Sequence, residues 1–348
     1  MPQLRQDLVT GRWVAIATER AKRPSSFSRS AVVSVQPSAQ CPFCLGRESM
    51  TPPEVMAYRQ PETQPNTPGW ELRVVPNLFP AFGPANQEPV QSHVGPYLTM
   101  TGVGVHEVLI SSPEHQQDIA ELSLVQVEKI VRAYVDRYNA HRENPAIQYL
   151  LIINNHGKEA GASLEHPHSQ LFGIPMVPPN VQEELEGVRR YHVEKGRCVY
   201  CDILATEQKT GERVIAENDH FLVYAPFASR TPFEASILPK WHASHFEAMT
   251  DDQRKSFARA LKELTARLYR GLNDPPFNFY IHTAPNHSGA DLDYHWHLEV
   301  LPKLAIAAGF ELGSGIMINV VTPESAAEFL RNVDISAAPT AAASPALH

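Results

Sequence analysis

The chain has 348 residues, enough for about two domains, and its 43% hydrophobic and 20% charged residues are typical of a globular protein. Its formal charge of -8 disfavours nucleic acid as a partner, because nucleic-acid binding depends on a basic surface. The sequence contains no run near the ~20 apolar residues that a membrane span needs, and it starts without the apolar core of a signal peptide. We therefore expect a cytoplasmic protein that has no membrane partner.

Four cysteines form two pairs with the same spacing, Cys41–Cys44 and Cys198–Cys201. Disulfides are disfavoured in a cytoplasmic chain, and a redox-active pair belongs at a helix start, whereas prolines surround the first pair. A single zinc ribbon made from all four cysteines is disfavoured because the pairs lie far apart in the sequence. We interpret the pairs as ligands of two separate metal sites.

An internal repeat relates the two halves of the chain. At one constant offset, Glu107 matches Glu234 and His115 matches His242. Both segments predict a strand, then a loop that carries the histidine, then a helix. The repeat therefore indicates that one structural unit has been duplicated.

A helix follows the histidine loop in each repeat. Ser123 with Gln126, and Thr250 with Gln253, have the spacing of a capping box. Apolar residues then recur at helical spacing, at Val127, Ile130, Val131, Tyr134, Val135 and Tyr138 in the first helix and at Phe257, Leu261, Leu264 and Leu268 in the second.

A strand with alternating apolar residues follows each helix. These residues are Ile147, Tyr149, Leu151 and Ile153 in the first half and Phe277, Phe279 and Ile281 in the second. Each strand leads to a pair of histidines two residues apart, in "HPHSQ" from His166 and "HWHLE" from His295. The shared order of elements predicts an α+β fold of two fused halves, each an antiparallel sheet with packed helices.

The predicted domain boundaries follow from this order. The first half covers residues 1–180, a connecting helix covers 181–196, and the second half covers 197–333. Residues 334–348 are rich in small residues and predict a disordered tail.

Each half also offers four ligands of the kind that structural zinc prefers. The sets are Cys41, Cys44, His115 and His166 in the first half, and Cys198, Cys201, His242 and His295 in the second. A lone histidine in a loop is more often a surface residue, but one that recurs beside a cysteine pair favours a ligand. We expect about two zinc ions per chain.

The second histidine of each doublet, His168 or His297, lies on the same strand face as its neighbour. Neutral imidazole, with a pKa of ~6.5, is a good nucleophile toward phosphorus near pH 7. After His168 comes Gln170, whose amide can donate to a phosphoryl oxygen, whereas Glu299 would repel one. The first half is therefore predicted to attack phosphate, and the second half to be a structural partner.

The chain resembles the galactose-1-phosphate uridylyltransferases, the transferase branch of the histidine-triad superfamily. The resemblance runs roughly from Leu8 to Arg331 and includes "TGRWVAIATERAKRP", "CPFC", "PNLFPAF", "SPEH", "HPHSQ" and "HWHLEVLP". It implies histidine-triad-like halves and a covalent nucleotidyl intermediate on His168, with Gln170 supporting the phosphoryl group. The implied activity is transfer of the uridylyl group of UDP-glucose to a hexose 1-phosphate, such as galactose 1-phosphate.

The resemblance also implies substrate contacts and a partner subunit. Asn77 matches a nucleoside contact, and Asn155, Gly161 and Ser163 match positions that line the phosphate and sugar. Arg20 and Arg23 match arginines that reach the neighbouring subunit's site, which implies a homodimer.

The second metal site has two alternatives within this family. Some members use equivalents of His282, His295 and His297 with a glutamate, for which Glu183 or Glu184 could serve here. Other members carry a second cysteine pair, as this chain does, so the cysteine set is preferred.

Three residues depart from the best-known members of the family. Ser169 stands where they have glycine, Leu78 where they have aspartate, and Met317 where they have a hexose-contacting glutamine. These departures resemble a divergent branch that includes ADP-glucose phosphorylase, so that enzyme or a related nucleotide phosphorylase is the alternative function. A zinc-stabilised nucleotide-binding module without catalysis is disfavoured because His168 and Gln170 are both present.

Overall fold

The computed structural model describes residues 1–22, 40–115, 118–287 and 293–336. Arg23 and most of the predicted tail, residues 337–348, lie outside the described residues. Within these ranges, no helix combines the length and the apolar character needed to cross a membrane.

Strands and helices are numbered in chain order within the described residues. The strands are β1 Gln3–Gln6, β2 Trp13–Ile16, β3 Met56–Arg59, β4 Trp70–Pro76, β5 Gly83–Pro84, β6 Gln91–Val94, β7 Tyr97–Met100, β8 Val103–Ile110, β9 Tyr149–His156, β10 His168–Ile174, β11 Val214–Glu217, β12 Phe221–Tyr224, β13 Ala235–Pro239, β14 Phe277–His282, β15 His297–Pro302 and β16 Met317–Asn319. The α-helices are α1 Leu124–His141, α2 Pro179–Lys195, α3 Val199–Thr210, α4 Asp251–Gly271, α5 Gly309–Ser314 and α6 Pro323–Arg331.

One large sheet contains strands from both halves of the chain. Its order is β11-β12-β13-β15-β14-β9-β10-β8-β4-β3, with every neighbouring pair antiparallel, and β5 lies parallel beside β8. The halves meet where β9 pairs with β14. Each half is thus an antiparallel sheet with packed helices, which confirms the predicted α+β class.

Helices α1 and α4 cover one face of this sheet, and their predicted apolar stripes are buried in a single core. The two helix starts differ in one respect. Thr250 and Gln253 form the complete capping box that the sequence predicts. Ser123 accepts from the Gln126 backbone, but the Gln126 side chain donates instead to two carbonyl oxygens outside the helix. The Gln126 side chain thus bonds to Glu71 of β4 and to Ser111 after β8 instead of completing the predicted capping box.

The strand face predicted for β9 is only partly correct. Leu150 and Ile152 are buried against the helices, whereas Leu151 and Ile153 are half-buried on the opposite face. Alternation in the sequence cannot say which face of a strand meets the helices when apolar residues occupy both faces. The half-buried face of β9 is the one that carries the candidate active site.

The face of the large sheet that is turned away from α1 and α4 is covered by different elements in the two halves. In the second half α2 and α3 cover it, with Val188 and Tyr200 in one buried cluster with Leu222 and Leu238 of the sheet. In the first half, His106 on the same face lies 3.0 Å from the side-chain amide nitrogen of Asn77 in the "PNLFPAF" loop. The equivalent histidines His168 and His297 are both buried, so the halves differ in which elements cover this face and not in how exposed these histidines are.

Candidate active site and metal centres

His168 begins strand β10, and its backbone and ring are both fixed. The ring Nδ1 lies 2.8 Å from the carbonyl oxygen of His166. Because a carbonyl can only accept, Nδ1 carries the hydrogen and Nε2 keeps its lone pair. The edge-to-face contact with Phe43, at 5.3 Å between ring centroids, packs the ring from one side. The strand thus presents a nucleophilic nitrogen in one defined orientation.

Burial lowers the pKa of His168, although its bond to the His166 carbonyl and the nearby Asp118 carboxylate oppose this shift. The imidazole is therefore neutral near pH 7. A neutral ring with a free lone pair is what attack on phosphorus requires.

Ser169 points to the helix side of the sheet, away from His168. Its hydroxyl lies 2.6 Å from the Tyr134 hydroxyl of α1 and accepts from Asn154 at 3.2 Å. The same Asn154 amide donates to the His168 carbonyl oxygen at 3.0 Å. The serine that replaces the family glycine therefore ties the strand of the nucleophile to β9 and α1.

Gln170 lies two residues beyond His168 on the same face, and its Oε1 is 2.7 Å from Nε2 of His106. His106 also lies 3.0 Å from the Asn77 amide nitrogen, so it joins the predicted phosphoryl and nucleoside contacts. His106 was not among the residues predicted from the sequence. A polar residue inside the apolar strand β8 was the available signal.

The remaining predicted contacts lie on β9, in the connection between β9 and β10, and near the N-terminus. Asn155 follows Asn154, which pairs with Ser169, so Asn155 lies across from His168 between β9 and β10. Gly161 ends a short turn in the left-handed region, at a φ of 88°, and Ser163 is exposed in the same connection. Arg20 is exposed in the turn Thr18–Lys22.

Two of the departures from the family lie in different surroundings. Leu78 is 60% exposed beside the nucleoside-contact position. Met317 belongs to β16, which pairs in parallel with β2, and it packs against the small cluster around Val14 and Ile16.

The first metal group brings together its four predicted ligands. The sulfur of Cys44 lies 3.2 Å from Nδ1 of His115 and 3.7 Å from Nδ1 of His166, and all four ligand atoms, including that of Cys41, lie within 4.8 Å of one another. His166 Nε2 donates to the Ser112 carbonyl oxygen at 2.8 Å, which leaves Nδ1 to face the sulfurs. Two thiolates and two imidazoles are a donor set that suits zinc.

The second metal group repeats this arrangement. Cys201 lies 3.6 Å from His242 Nδ1 and 3.8 Å from His295 Nδ1, and Cys198 lies 3.9 Å from His295 Nδ1. His295 Nε2 lies 3.1 Å from the Pro239 carbonyl oxygen, the position that matches Ser112 in the repeat. In both groups a ligand histidine bonds a backbone carbonyl through Nε2, which supports the interpretation that both groups bind a metal in the same way.

The thiols of the two groups have different surroundings. Burial raises the pKa of Cys44 to about 11. The hydrogen bond from Cys198 lowers the pKa of Cys201 to about 7, against the effect of burial. The same hydrogen bond, together with burial, raises the pKa of Cys198 to about 11, so metal binding to either group must displace a thiol proton near neutral pH.

A third group of possible metal ligands lies behind α2, made of Glu184, His282, His297 and Glu299. His282 Nδ1 is 2.8 Å from Glu184, and His297 Nε2 is 3.5 Å from Glu299. The alternative second metal set was His282, His295 and His297 with a glutamate. Its histidines belong to two different groups, because His295 faces Cys198 and Cys201. Its glutamate is Glu184, since the side chain of Glu183 pairs with an arginine near the N-terminus.

His297 has the opposite electrostatic surroundings to His168. Burial alone would lower its pKa, but the hydrogen bond with Glu299 and the Glu184 carboxylate raise it to about 9. A protonated imidazole has no lone pair for attack, and Tyr200 covers the ring at 4.8 Å between centroids. These contacts give a physical reason for the prediction that His168, and not His297, attacks phosphate.

Comparison with known proteins places the chain among nucleotidyltransferases. Residues 1–178 match the model of the galactose-1-phosphate uridyl transferase N-terminal domain, and residues 110–334 match a domain of unknown function, DUF4921. An ADP-glucose phosphorylase of Arabidopsis thaliana is 39% identical over 96% of this chain and 94% of its own length. A galactose-1-phosphate uridylyltransferase of Thermotoga maritima is 32% identical over 96% of this chain and 99% of its own length.

The solved structures agree with the sequence matches. The crystal structure of the ADP-glucose phosphorylase from Arabidopsis thaliana with bound ADP-glucose has a TM-score of 0.80 and 38% identity, and it covers 96% of this chain and 100% of its own. The predicted resemblance, the histidine-triad-like fold and the enzyme class are confirmed by these relatives. The chain belongs to the galactose-1-phosphate uridylyltransferase family.

Proposed function

We propose that the enzyme transfers a nucleotidyl group through a covalent intermediate on His168. Nε2 attacks the α-phosphorus of a nucleoside diphosphate sugar, a phosphorus–nitrogen bond forms, and the phosphorus–oxygen bond to the sugar 1-phosphate breaks. A phosphate oxygen of the acceptor then attacks the same phosphorus and restores the free imidazole. The Nδ1 bond to the His166 carbonyl is the observation that carries this proposal, because it leaves Nε2 as the nucleophile and stabilises the charge on the substituted ring.

Gln170 supports this reaction from the same strand face. Its amide nitrogen donates to the phosphoryl oxygen, on which negative charge builds up as the bonds exchange. Asn155, Gly161 and Ser163 contact the phosphate and sugar, and Asn77 contacts the nucleoside. This assignment is supported by the common face that carries His168, Gln170 and Asn155.

The donor carries glucose in either candidate reaction. In the first, UDP-glucose donates a uridylyl group to galactose 1-phosphate; the name of the Thermotoga maritima relative gives that acceptor and that transferred group for that protein. In the second, ADP-glucose donates an adenylyl group to inorganic phosphate. The second is favoured by the 39% identity to the plant phosphorylase and by the apolar Leu78 next to the nucleoside position.

Mass spectrometry of the intact protein separates these candidates. The enzyme is incubated with UDP-glucose or ADP-glucose without an acceptor, and His168→Ala serves as the control. One equivalent of a uridylyl adduct, discharged by galactose 1-phosphate, supports the first candidate; an adenylyl adduct discharged by phosphate supports the second. Stoichiometric nucleotide binding without any adduct would instead leave a zinc-stabilised binding module.

We also propose that the protein binds zinc and forms a homodimer. Each of the two Cys2His2 groups holds a structural zinc ion, supported by their donor sets and matched carbonyl contacts. The enzyme is a cytoplasmic homodimer in which Arg20, exposed in the turn Thr18–Lys22, reaches the partner's site. Elemental analysis and light scattering test the metal content and the dimer; a monomer with full activity would refute the shared site.

A further inference from the structure

We propose that His106 is a positioning residue that fixes the side-chain amide of Gln170, so that its nitrogen faces the phosphoryl group. This inference rests on the proposed function, in which Gln170 donates to that group. An amide side chain can rotate by half a turn and present either oxygen or nitrogen to a ligand. Only the nitrogen can donate to a phosphoryl oxygen, so the choice between the two orientations affects the reaction.

The protonation of His106 follows from its backbone neighbour. The N–H of Ala81 donates to Nδ1 of His106 at 3.1 Å. Nδ1 must therefore be the unprotonated nitrogen of a neutral ring, and Nε2 must carry the hydrogen. Burial, which lowers the pKa of His106, supports the neutral form although the bond to Gln170 opposes this shift.

The Nε2–H of His106 can serve one acceptor in this site. The Oε1 atom of Gln170 lies 2.7 Å away, and the Asn77 amide nitrogen, at 3.0 Å, carries hydrogens of its own and cannot accept. The hydrogen bond therefore goes to the oxygen of Gln170. The nitrogen of the same amide is left as the end that can donate to a ligand.

The surroundings of the ring hold it in this orientation. His106 lies opposite Phe172 in the β8–β10 pair, and the two rings stack with centroids 4.0 Å apart. Its carbonyl oxygen accepts from the Asn77 backbone at 2.8 Å, so the residue is bonded to the loop at both Asn77 and Ala81. A flip of the imidazole would bring Cδ2 to the Ala81 N–H, which would lose its acceptor, and would turn Nε2 away from Gln170. The stack and the loop thus define which nitrogen reaches Gln170.

The test is a double-mutant cycle on the rate at which the covalent adduct forms. The variants are His106→Phe, Gln170→Ala and the combination of both, and His106→Phe keeps an aromatic ring over Phe172 while it removes the donor. Single-turnover labelling is followed by mass spectrometry with UDP-glucose and with ADP-glucose, and the donor that labels the wild type is used. We expect about 100-fold slower labelling for Gln170→Ala and roughly 10-fold for His106→Phe, because a positioned donor accounts for such factors in enzymes.

The decisive result is the double variant. If His106 acts through Gln170, the double variant is no slower than Gln170→Ala alone. His106→Gln, which retains a donor, should recover most of the rate, and it carries the test if His106→Phe does not fold, as judged by thermal unfolding.

Three outcomes would overturn the inference, and they can be told apart. If the two substitutions slow labelling independently, so that their effects multiply, the role of His106 is refuted and the proposed function still stands. An unchanged rate in folded His106→Phe has the same meaning. The absence of any adduct in the wild-type enzyme would refute the proposed function and this inference with it.

Discussion

The histidines His168 and His297 occupy equivalent positions in the two halves and provide a test of their different roles. We expect His168→Ala to abolish covalent labelling, because Nε2 of His168 is the nucleophile of the proposed reaction. We expect His297→Ala to retain labelling and to lower the free energy of unfolding. The reason is that His297 lies between two buried carboxylates, Glu184 and Glu299.

The loss in free energy of unfolding depends on which polar partners Glu184 and Glu299 keep when His297 is removed. Removing one member of a buried ion pair costs about 3–5 kcal/mol when its partner is left uncompensated. Here His297 lies 4.0 Å from Glu184 and 3.5 Å from Glu299. Each carboxylate keeps two other polar partners, which are His282 and Tyr294 for Glu184, and Arg230 and Tyr280 for Glu299. We therefore expect a smaller loss of roughly 1–3 kcal/mol.

Two measurements on the same preparations check this prediction. Mass spectrometry after incubation with the nucleotide sugar gives the adduct, and urea denaturation gives the free energy of unfolding. An adduct of wild-type stoichiometry on His168→Ala, or its loss from folded His297→Ala, would show that the active half has been assigned wrongly.

Further predictions concern metal, pH and packing. Elemental analysis should find about two zinc ions per chain, and Cys41→Ser should lose one of them and unfold at lower temperature, because structural zinc contributes folding free energy; zinc-free folded protein would contradict this. Burial lowers the pKa of His156, but attraction to Asp118 outweighs it and raises the pKa to about 10. This pair therefore stabilises the fold fully below the unfolded pKa of ~6.5 and progressively less as the pH rises toward 10, so His156→Gln should flatten the fall in stability from pH 7 to 10 in urea denaturation. Tyr134→Phe should lower the free energy of unfolding by about 1 kcal/mol, since Ser169 loses one hydrogen bond but keeps another; the absence of any effect would mean that the hydroxyl pair adds nothing.

Local patterns were sufficient for much of this protein. Periodic apolar residues placed α1 and α4, because each helix buries one stripe against the sheet. The internal repeat then predicted the metal groups, since His115 and His242 recur at the same place beside a cysteine pair. These features are readable because each depends on spacing within a short segment or on the comparison of two such segments.

Contacts between distant segments required the tertiary structure. His106 and Gln170 are far apart in the sequence, and they meet only because β8 and β10 pair in one register. Glu184 joins His282 and His297 because α2 folds over the second half, and no sequence spacing distinguishes Glu184 from Glu183. By itself, the sequence determined the repeated strands and helices, the internal repeat and the candidate site residues. The tertiary structure decided which equivalent histidine is buried among carboxylates and which is neutral, because the pKa of a side chain depends on the burial and charges around it.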